Sequence, residues 1–517
     1  MSERRIFIRS AILPLLLLSS CASPHTLTTA AVTTHPPATA TRSPDQPREL
    51  TPTVHATSAP TTTLLPPPRR LADPDSPLNS TGPWLSFWTE DAHSNRRLFI
   101  ANADGSGMTE LDICEDCSWP AISDASPFVA YVRSNLTSMI KVGEPPVAEL
   151  VIVEIPSLEE RNVIDLLASP DSKEIEDLGS SDLFEIVRLS RPSWSPDGSA
   201  IAFSASIDAP NVDLYTFRIV EARLARQSSG PNHAWSPRWS TDGRSLIYAE
   251  VQKVPLGYEI DDLGVWAADV ESGDNRWLYA PNGHHELLEW VDAVHAITYS
   301  HRWDRSFGPE VDIRVTNIRK GTSEMICRDA CDPSRLALDR RHGLVVFERH
   351  PNTEWYAMDV NDGTTVQLPD VEGLDPPSWS EEAEGLVFAA PDPWAEADCE
   401  GIPGHHYVQA DQSLGCTTAN VLPLANPSPS GEWSISADAV LRSADQVVLR
   451  YMDDLAFQSD SFDSYFDTFD VEWRPDSLGA FLHKPESLFY VDVPSGSPVL
   501  VHKGDSISSL EWIVASQ

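Results

Sequence analysis

The chain has 517 residues, of which 41% are hydrophobic and 16 are tryptophan, enough apolar material for a large core. This length exceeds one ordinary compact domain, so it indicates either several domains or an array of repeats. Lys and Arg total 37 against 77 Asp and Glu, a formal net charge of −40. Because such a chain repels polyanions at long range, its charge argues against nucleic acid and favours cations or basic partners. The same charge also keeps an exported protein soluble.

Residues 1–20 have the pattern of a bacterial signal peptide. Arg4, Arg5 and Arg9 form a positive segment, and the apolar stretch Ala11–Leu18 follows it. That stretch is too short to span a bilayer as a mature helix. No other stretch approaches 18 uncharged apolar residues, so we expect no transmembrane helix in the mature protein.

The sequence Leu18-Ser19-Ser20-Cys21 resembles a bacterial lipobox. The resemblance implies that Cys21 is diacylated on its sulfur and becomes the new N-terminus after cleavage. The alternative is an ordinary secretory signal in which Cys21 is incidental. Two or three acyl chains anchor a protein durably, since each buried methylene contributes about 0.8 kcal/mol. We therefore expect a membrane-anchored protein of the cell envelope, outside the cytoplasm.

Residues 21–81 form a tether of different composition, dominated by Thr, Pro, Ala and Ser. Large apolar residues are too sparse there to bury a core, which predicts disorder. Its prolines favour extended polyproline II, a semi-rigid spacer of about 3.1 Å per residue. Glycosylation of its Ser and Thr residues stays open.

From residue 82 onward a sequence motif recurs. Ser193-Trp194-Ser195-Pro196-Asp197-Gly198 leads into an apolar strand, and Arg238-Trp239-Ser240-Thr241-Asp242-Gly243 does the same. Repetition at roughly 40–50 residues per unit is typical of propeller blades. The Pro-Asp-Gly turn supplies a fixed φ, an Asx-type hydrogen bond and a residue with positive φ, so we interpret Asp197 as a turn former rather than a catalyst. Further copies are centred on Trp119, Trp290, Leu338, Trp379, Trp433, Trp473 and Trp512.

These repeats resemble the TolB-like propeller family, whose blades carry a WSPDG turn and a following LYVxDxxxG-type strand. The resemblance covers residues 82–517 and implies an all-β fold, a single propeller of about eight four-stranded blades, with seven to nine possible. It implies little about function, because propellers serve many functions through their loops. We also expect the C-terminal strand to close the ring against the first blade, and no amphipathic helix of about 12 residues or more.

Six cysteines remain once Cys21 is assigned to the lipid. An oxidising location makes disulfides the default, and we predict the pairs Cys114–Cys117, Cys327–Cys331 and Cys399–Cys416. The first four of these cysteines also have the spacing of two pairs of zinc ligands, although several blades separate the two pairs. A redox role for Cys114 and Cys117 is disfavoured by the acidic residues between them.

The chain contains no nucleophile elbow, P-loop, HExxH or dinucleotide fingerprint, so we assign no catalytic residue. Two histidine pairs are conspicuous, His284-His285-Glu286 and His405-His406-Tyr407. Adjacent residues on a strand point to opposite faces, so neither pair is suited to a two-histidine metal site. We interpret them as surface or turn histidines.

Residues 453–470 form an acidic and aromatic segment that we regard as the candidate binding loop. Its chemistry-bearing residues are Asp460, Phe462, Asp463, Tyr465, Asp467 and Asp470. Oxygen-rich loops hold Ca²⁺, although the glycine and the spacing of an EF-hand are absent. The competing interpretation is a solvated acidic loop whose aromatic residues cap the propeller. We predict no obligatory cofactor and leave calcium open.

Three functions fit these observations. The first is a monomeric, lipid-anchored propeller that binds a protein, a peptide or an envelope glycan through its long loops. The second is a sensor of cations or solutes that uses the acidic loops. The third is a glycan-acting lyase or hydrolase, which would require Asp, Glu or His with shifted pKa values clustered in the central funnel. The binding protein is the function we expect.

Overall fold

The computed structural model describes the following residues: 71, 78–90, 96–111, 120–135, 146–168, 180–252, 262–281, 283–304, 308–328, 332–349, 353–369, 371, 376–380, 384–388, 398–399, 402–403, 405–417, 433–435, 440–443, 448–451, 470–484, 487–493, 499–503 and 506–513. Within them, the strands form eight four-stranded sheets, one three-stranded sheet and one two-stranded hairpin. The nine larger sheets are numbered here as blades 1 to 9 in chain order. The fold is an all-β propeller, as predicted, and the described strands form nine blades, eight of them four-stranded, at the upper end of the predicted range of seven to nine.

The first four blades have these strands. Blade 1 contains β1 (Trp84–Glu90), β2 (Arg96–Asn102) and β3 (Thr109–Leu111). Blade 2 contains β4 (Ala121–Ile122), β5 (Phe128–Ser134), β6 (Ala148–Glu154) and β7 (Glu159–Asp165). Blade 3 contains β8 (Ser193–Trp194), β9 (Ala200–Ala205), β10 (Asp213–Arg218) and β11 (Arg223–Arg226). Blade 4 contains β12 (His233–Trp239), β13 (Ser245–Val251), β14 (Asp262–Asp269) and β15 (Asn275–Tyr279).

The later blades continue the pattern. Blade 5 contains β16 (His284–Trp290), β17 (His295–Asp304), β18 (Gly308–Asn317) and β19 (Thr322–Arg328). Blade 6 contains β20 (Leu336–Asp339), β21 (Leu344–Arg349), β22 (Glu354–Asp359) and β23 (Thr365–Leu368), preceded by the 3₁₀ turn Pro333–Arg335. Blade 7 contains β24 (Ser378–Ser380), β25 (Gly385–Val387), β28 (His405–Val408) and β29 (Leu414–Thr417), with the hairpin β26 (Asp398–Cys399) and β27 (Ile402–Pro403) inserted. Blade 8 contains β30 (Trp433–Ile435), β31 (Val440–Ser443) and β32 (Val448–Tyr451). Blade 9 contains β33 (Asp470–Trp473), β34 (Gly479–Lys484), β35 (Ser487–Asp492) and β36 (Val499–Lys503).

The C-terminal strand closes the ring, as the sequence predicts. Strand β37 (Ser506–Ile513) pairs antiparallel with β1 and becomes the first strand of blade 1, with Trp84 opposite Ile513. Phe481 and Tyr490 of blade 9 pack in the same apolar cluster as Trp512. The two ends of the propeller are therefore joined by both backbone pairing and side-chain packing.

The core lies in the seams between consecutive blades. In the described part of the chain, eight apolar clusters occupy such seams. Because each sheet is covered on both faces by its neighbours, a central strand such as β9 is buried at all six positions and does not alternate between buried and exposed residues.

The chain order defines two faces of the propeller. The turn face carries the tight connections between the first and second strands and between the third and fourth strands of each blade, for example residues 195–199 and 219–222. The loop face carries the connections between the second and third strands and those between blades, for example residues 206–212 and 227–232. The first strands of neighbouring blades lie in contact and form the inner wall, as β8 and β12 do.

One helix is present in the described residues, α1 (Ser180–Leu189), between blades 2 and 3. This helix is not predicted from the sequence, because its ten residues fall below the length at which an amphipathic pattern can be recognised. Phe184, Ile186 and Val187 are buried in the seam between blades 2 and 3 and hold the helix there. No helix in the described ranges is sufficiently long and apolar to cross a membrane.

Packing of the propeller extends upstream of the boundary that we predicted at residue 82. Leu71, inside the predicted tether, is 1% exposed and lies in the seam cluster of blades 1 and 2. Its backbone N–H donates to the carbonyl of Leu158 at 2.9 Å. The Asn79 carbonyl accepts a hydrogen bond from the Trp84 indole at 3.1 Å. Leu71 and Asn79 are thus part of the fold, which corrects the predicted start of the propeller.

Candidate functional site

The strand β16, the first strand of blade 5, carries the histidine pair that the sequence analysis singled out. His284 and His285 lie on a strand and point to opposite sides of it, as alternation requires. This is the orientation for which we did not expect a joint two-histidine site. The interpretation of both as surface or turn residues is wrong for His285, which is 6% exposed.

His285 belongs to the seam between blades 4 and 5. The Tyr279 hydroxyl lies 3.2 Å from His285 Nδ1 and 2.6 Å from the Thr298 hydroxyl. Burial, together with the charge of His284, lowers the pKa of His285 to about 3, so the ring is neutral at physiological pH. This side of the pair has a structural role.

His284 faces the other side and joins a group that we call the histidine cluster: Asp262, His284, Glu286, Tyr299 and His301. Pairing between β16 and β17 sets His284 opposite His301 and Glu286 opposite Tyr299, so the four side chains share one face of the sheet. Asp262 comes from the first position of β14, in blade 4. The cluster therefore lies on the loop face at the inner end of the seam between blades 4 and 5.

Aromatic packing fixes the rings of the cluster. The His284 ring lies 5.8 Å from the Trp235 ring and meets the His301 ring edge-on at 5.4 Å. Tyr299 stacks on His301 at 5.5 Å. The four rings form a continuous chain of aromatic contacts between β12 and β17, which restrains their rotation.

Two carboxylates flank the His284 imidazole. Asp262 Oδ2 is 3.5 Å from Nδ1, and Glu286 Oε1 is 3.6 Å from Nε2. At these lengths the contacts are mainly electrostatic. Burial alone disfavours the imidazolium, but the two carboxylates outweigh it and raise the pKa of His284 to about 9. His284 is therefore a cation at neutral pH.

Glu286 is the exposed member of the cluster, with 49% of its side chain accessible. The Tyr299 hydroxyl donates to Glu286 Oε2 at 2.9 Å. Burial opposes ionisation, but the contacts with His284 and Tyr299 prevail and lower the pKa of Glu286 to about 2. The cluster thus presents a fixed ion pair with a tyrosine, at an edge that solvent reaches.

Two arginines belong to neighbouring segments of the inner wall, Arg238 in β12 and Arg191 two residues before β8. Arg238 belongs to β12, next to a bulge at which Ser236 has a φ of 53°. Burial lowers the pKa of Arg238 to about 10, and the charge of Arg191 acts in the same direction while Glu286 opposes it. The inner wall of a chain with an excess of acidic residues therefore carries neighbouring positive charges at this position.

Two other polar networks of the loop face, in the described parts of blades 2 and 3, pair charged side chains within one blade. In blade 3, Arg226 Nη2 donates to Asp213 Oδ2 at 2.5 Å, and the Ser228 hydroxyl donates to Asp213 Oδ1 at 3.2 Å. Burial raises the pKa of Asp213 to about 7 despite Arg226. In blade 2, Arg133 bridges Glu149 and Glu160 at 2.9 and 2.7 Å. Such networks hold a blade together and leave few groups for a ligand.

The turn face carries a shallow groove of about 290 Å³ between the WSPDG-like turns of blades 3 and 4. Its carboxylates are engaged in their own turns. Asp197 Oδ1 accepts from the Ser195 hydroxyl at 2.6 Å and from the Ser199 N–H at 3.0 Å, and Gly198 has a φ of 67°. These contacts explain why the pKa of Asp197 is lowered, although burial acts against it. The interpretation of Asp197 as a turn former is confirmed.

Most of the residues assigned from sequence lie outside the described part of the chain: Cys21, Cys114, Cys117, Cys331, Asp460, Phe462, Asp463, Tyr465 and Asp467. Three others lie in described strands, Asp470 at the start of β33, Cys399 at the end of β26 and Cys416 within β29. The side chains of these three residues lie outside the described part of the structure. Cys327 is buried and disulfide-bonded, and its pairing with Cys331 stays a prediction. Among the described residues, no group of three or more His, Cys, Asp or Glu is arranged to hold a metal ion.

Sequence reasoning found His284 and Glu286 but missed their partners. Asp262 belongs to β14 of blade 4, Tyr299 and His301 belong to β17 of blade 5, and no local motif connects them. The one sequence signal that leads to these partners is the register of the β16–β17 hairpin. Once the position of the turn between the two strands is known, this register sets His284 opposite His301. Arg238 lies inside the most recognisable repeat, where the motif directed attention to Trp239.

The chain shows only distant structural similarity to known proteins. No protein-family model matches the chain, and no curated protein matches it. Among solved structures, TolB from Acinetobacter baumannii is similar at 13% identity and a TM-score of 0.30, over 56% of this chain and 64% of that protein. The chain thus spans less than two thirds of the length of that relative.

Two further solved structures are similar to a comparably low degree. A eukaryotic initiation factor is similar at 9% identity and a TM-score of 0.44, over 84% of this chain and 99% of the other. An oligogalacturonate lyase from Vibrio parahaemolyticus is similar at 12% identity and a TM-score of 0.30, over 67% and 92% of the two chains. Structural neighbours of this chain therefore include TolB-like propellers, and likenesses of this degree do not identify a ligand or a reaction.

Proposed function

We propose that the protein is a lipid-anchored propeller outside the cytoplasm, and that it binds a protein, a peptide or an envelope polymer on its loop face. The observation that carries the proposal is the histidine cluster. Glu286, His284 and Tyr299 converge at the inner end of one seam, and Glu286 is half exposed. On the turn face, by contrast, the Asp side chains of the repeated turns are occupied by their own backbone.

The cluster is suited to recognition because it is preorganised. Its rings are restrained by stacking, and its charges are fixed by each other over a wide pH range. A ligand that binds there does not need to order flexible side chains, which is a main cost of association. The signal peptide, Cys21 and the tether support the location, and the propeller supplies a rigid support for the site.

The test is crosslinking of the full-length protein in its own envelope, followed by affinity purification and mass spectrometry. The site variant is Glu286→Gln with His284→Asn, and the matched control is Glu271→Gln, which removes one exposed acidic charge on the turn face. We expect a partner that the parent and the control recover and the site variant loses. Equal recovery by all three proteins would place binding elsewhere.

A second candidate function is catalysis on an acidic or neutral glycan. The observation in its favour is that neighbouring groups of the cluster have pKa values shifted apart, about 9 for His284 and about 2 for Glu286, as acid–base sites often do. Incubation of the purified protein with a panel of envelope glycans, with and without Glu286→Gln, tests it. Product that forms with the parent and not with the variant would favour the enzyme.

A further inference from the structure

We propose that Arg191 and Arg238 form an anion-binding site on the inner wall between blades 3 and 4, and that its ligand is a carboxylate of an acidic peptide. The inference rests on the proposed function, because it names the chemistry that the loop face and inner wall would recognise. It does not require the acidic segment 453–470, and it concerns residues that no sequence motif indicated.

The backbone brings the two arginines together. The Ser236 N–H donates to the Ser190 hydroxyl at 3.2 Å, and the Trp239 indole donates to the Ser193 carbonyl at 2.9 Å. Arg191 therefore lies between two contacts that fix its segment against the segment containing Arg238. The charge of Arg191 helps to lower the pKa of Arg238, as expected for positive charges on neighbouring segments.

Neither arginine has an ion pair among the described residues. The one hydrogen bond of the Arg238 side chain runs from Nη1 to the adjacent Pro237 carbonyl at 3.0 Å. Other partly buried arginines of the loop face do have carboxylate partners, such as Arg133 with Glu160 at 2.7 Å. With 77 acidic residues against 37 basic ones, the chain does not lack carboxylates to neutralise Arg238. A half-buried guanidinium that has no carboxylate partner in the described chain is expensive, so an external anion is the natural partner.

Glu286 does not fill this role. Its carboxylate is held by the Tyr299 hydroxyl at 2.9 Å and faces the His284 imidazolium at 3.6 Å. It attracts Arg238 from a distance without forming an ion pair with it. Glu286 instead positions the protonated His284, which adds a third positive charge to the region.

The neighbouring aromatic rings favour a carboxylate over a sugar ring. Sugar recognition commonly uses an open aromatic face, but Tyr299 is stacked on His301 and Trp235 packs against His284. The groups that remain available to a ligand are the planar guanidinium groups, which can donate two parallel hydrogen bonds to one carboxylate. An acidic peptide side chain brings such a group without the need for stacking.

The test is calorimetric titration of the full-length protein in detergent with an acetylated tetraglutamate peptide. A tetraglutamine peptide and inorganic phosphate serve as comparison ligands. Salt at 0.15 M reduces the Debye length to about 8 Å, so repulsion from remote carboxylates is screened. We expect tetraglutamate to bind and tetraglutamine not to bind. Arg238→Gln and Arg191→Gln should each weaken binding about tenfold or more.

Arg223→Gln is the matched control, since it removes an exposed arginine of the outer strand β11, and it should leave binding unchanged. A purely structural arginine would lower the melting temperature when replaced. We expect Arg238→Gln to melt at or above the temperature of the parent, because it removes a desolvated and repelled charge.

Equal binding of the two peptides, or unchanged affinity in both arginine variants, would overturn the inference. Tighter binding of phosphate than of tetraglutamate would also overturn it. The proposed function is judged separately by the crosslinking experiment. A partner whose capture needs Glu286 and His284 but neither arginine would leave the proposed function in place and reject the anion site alone.

Discussion

The Trp239 indole donates a hydrogen bond of 2.9 Å to the backbone carbonyl of Ser193, across the seam between blades 3 and 4. The Trp194 indole makes the equivalent bond of 2.9 Å to the carbonyl of Ala121 in blade 2. The tryptophan of the repeated motif thus connects its own blade to the first strand of the preceding one. The motif encodes a contact between blades as well as a turn.

Replacing this tryptophan therefore weakens a seam. Trp239→Phe keeps an aromatic ring but removes the indole N–H, so the Ser193 carbonyl loses this hydrogen bond. The loss should lower the free energy of unfolding by about 1–3 kcal/mol. The smaller ring should lower it further, because it fills less of the seam. We expect a lower melting temperature by calorimetry. The control is Trp277→Phe, at a site 51% exposed, which should melt near the parent. Equal melting of the two variants would contradict a bonding role for Trp239.

Removal of the C-terminal strand should open the ring. Deletion of residues 508–517 removes most of β37, including Trp512, which is buried between blades 9 and 1, and Ile513, which is buried between blades 1 and 2. The unpaired edge of β1 would then be exposed, and such edges promote aggregation. We expect the truncated protein to lose its cooperative melting transition. We also expect it to form oligomers, which light scattering detects. Deletion of residues 514–517 alone, beyond the last strand, should leave a monomer that melts as the parent does.

Lipid attachment at Cys21 is a prediction that rests on sequence alone. We expect the parent to incorporate an alkyne-labelled fatty acid in its bacterial host and to sediment with membranes. Cys21→Ser should lose the label and appear in the soluble envelope fraction, while Cys114→Ser, at a second cysteine, should retain the label. A labelled Cys21→Ser variant would reject the lipobox interpretation.

The sequence was sufficient for the architecture and insufficient for the site. Repeated turns are local, so Pro196-Asp197-Gly198 predicts its own geometry, and the count of crests predicts the blades. The histidine cluster depends on side chains from β14, β16 and β17, whose proximity follows from register and blade packing. The burial of Leu71 was equally hidden, since a single apolar residue in a Pro-rich segment carries no periodic signal.

The histidine cluster should make stability depend on pH in a predictable direction. The pKa of His284 is raised to about 9 in the folded protein, from an ordinary value near 6.5. The folded state therefore binds the proton more tightly than the unfolded chain. Its contribution is fully present below about pH 6.5 and disappears as the pH rises to about 9.

The measurement is the difference in melting temperature between the parent and His284→Asn, from pH 5.5 to 10. We expect the parent to melt higher at the acidic end, and the difference to shrink between about pH 6.5 and 9. His285 does not obscure this result, because its pKa is lowered to about 3 and its effect falls below that window. The control is His55→Asn, in the predicted tether, which should leave the melting temperature unchanged across this range. A difference that stays constant across the window, or grows with pH, would mean that His284 is not held as a cation by Asp262 and Glu286.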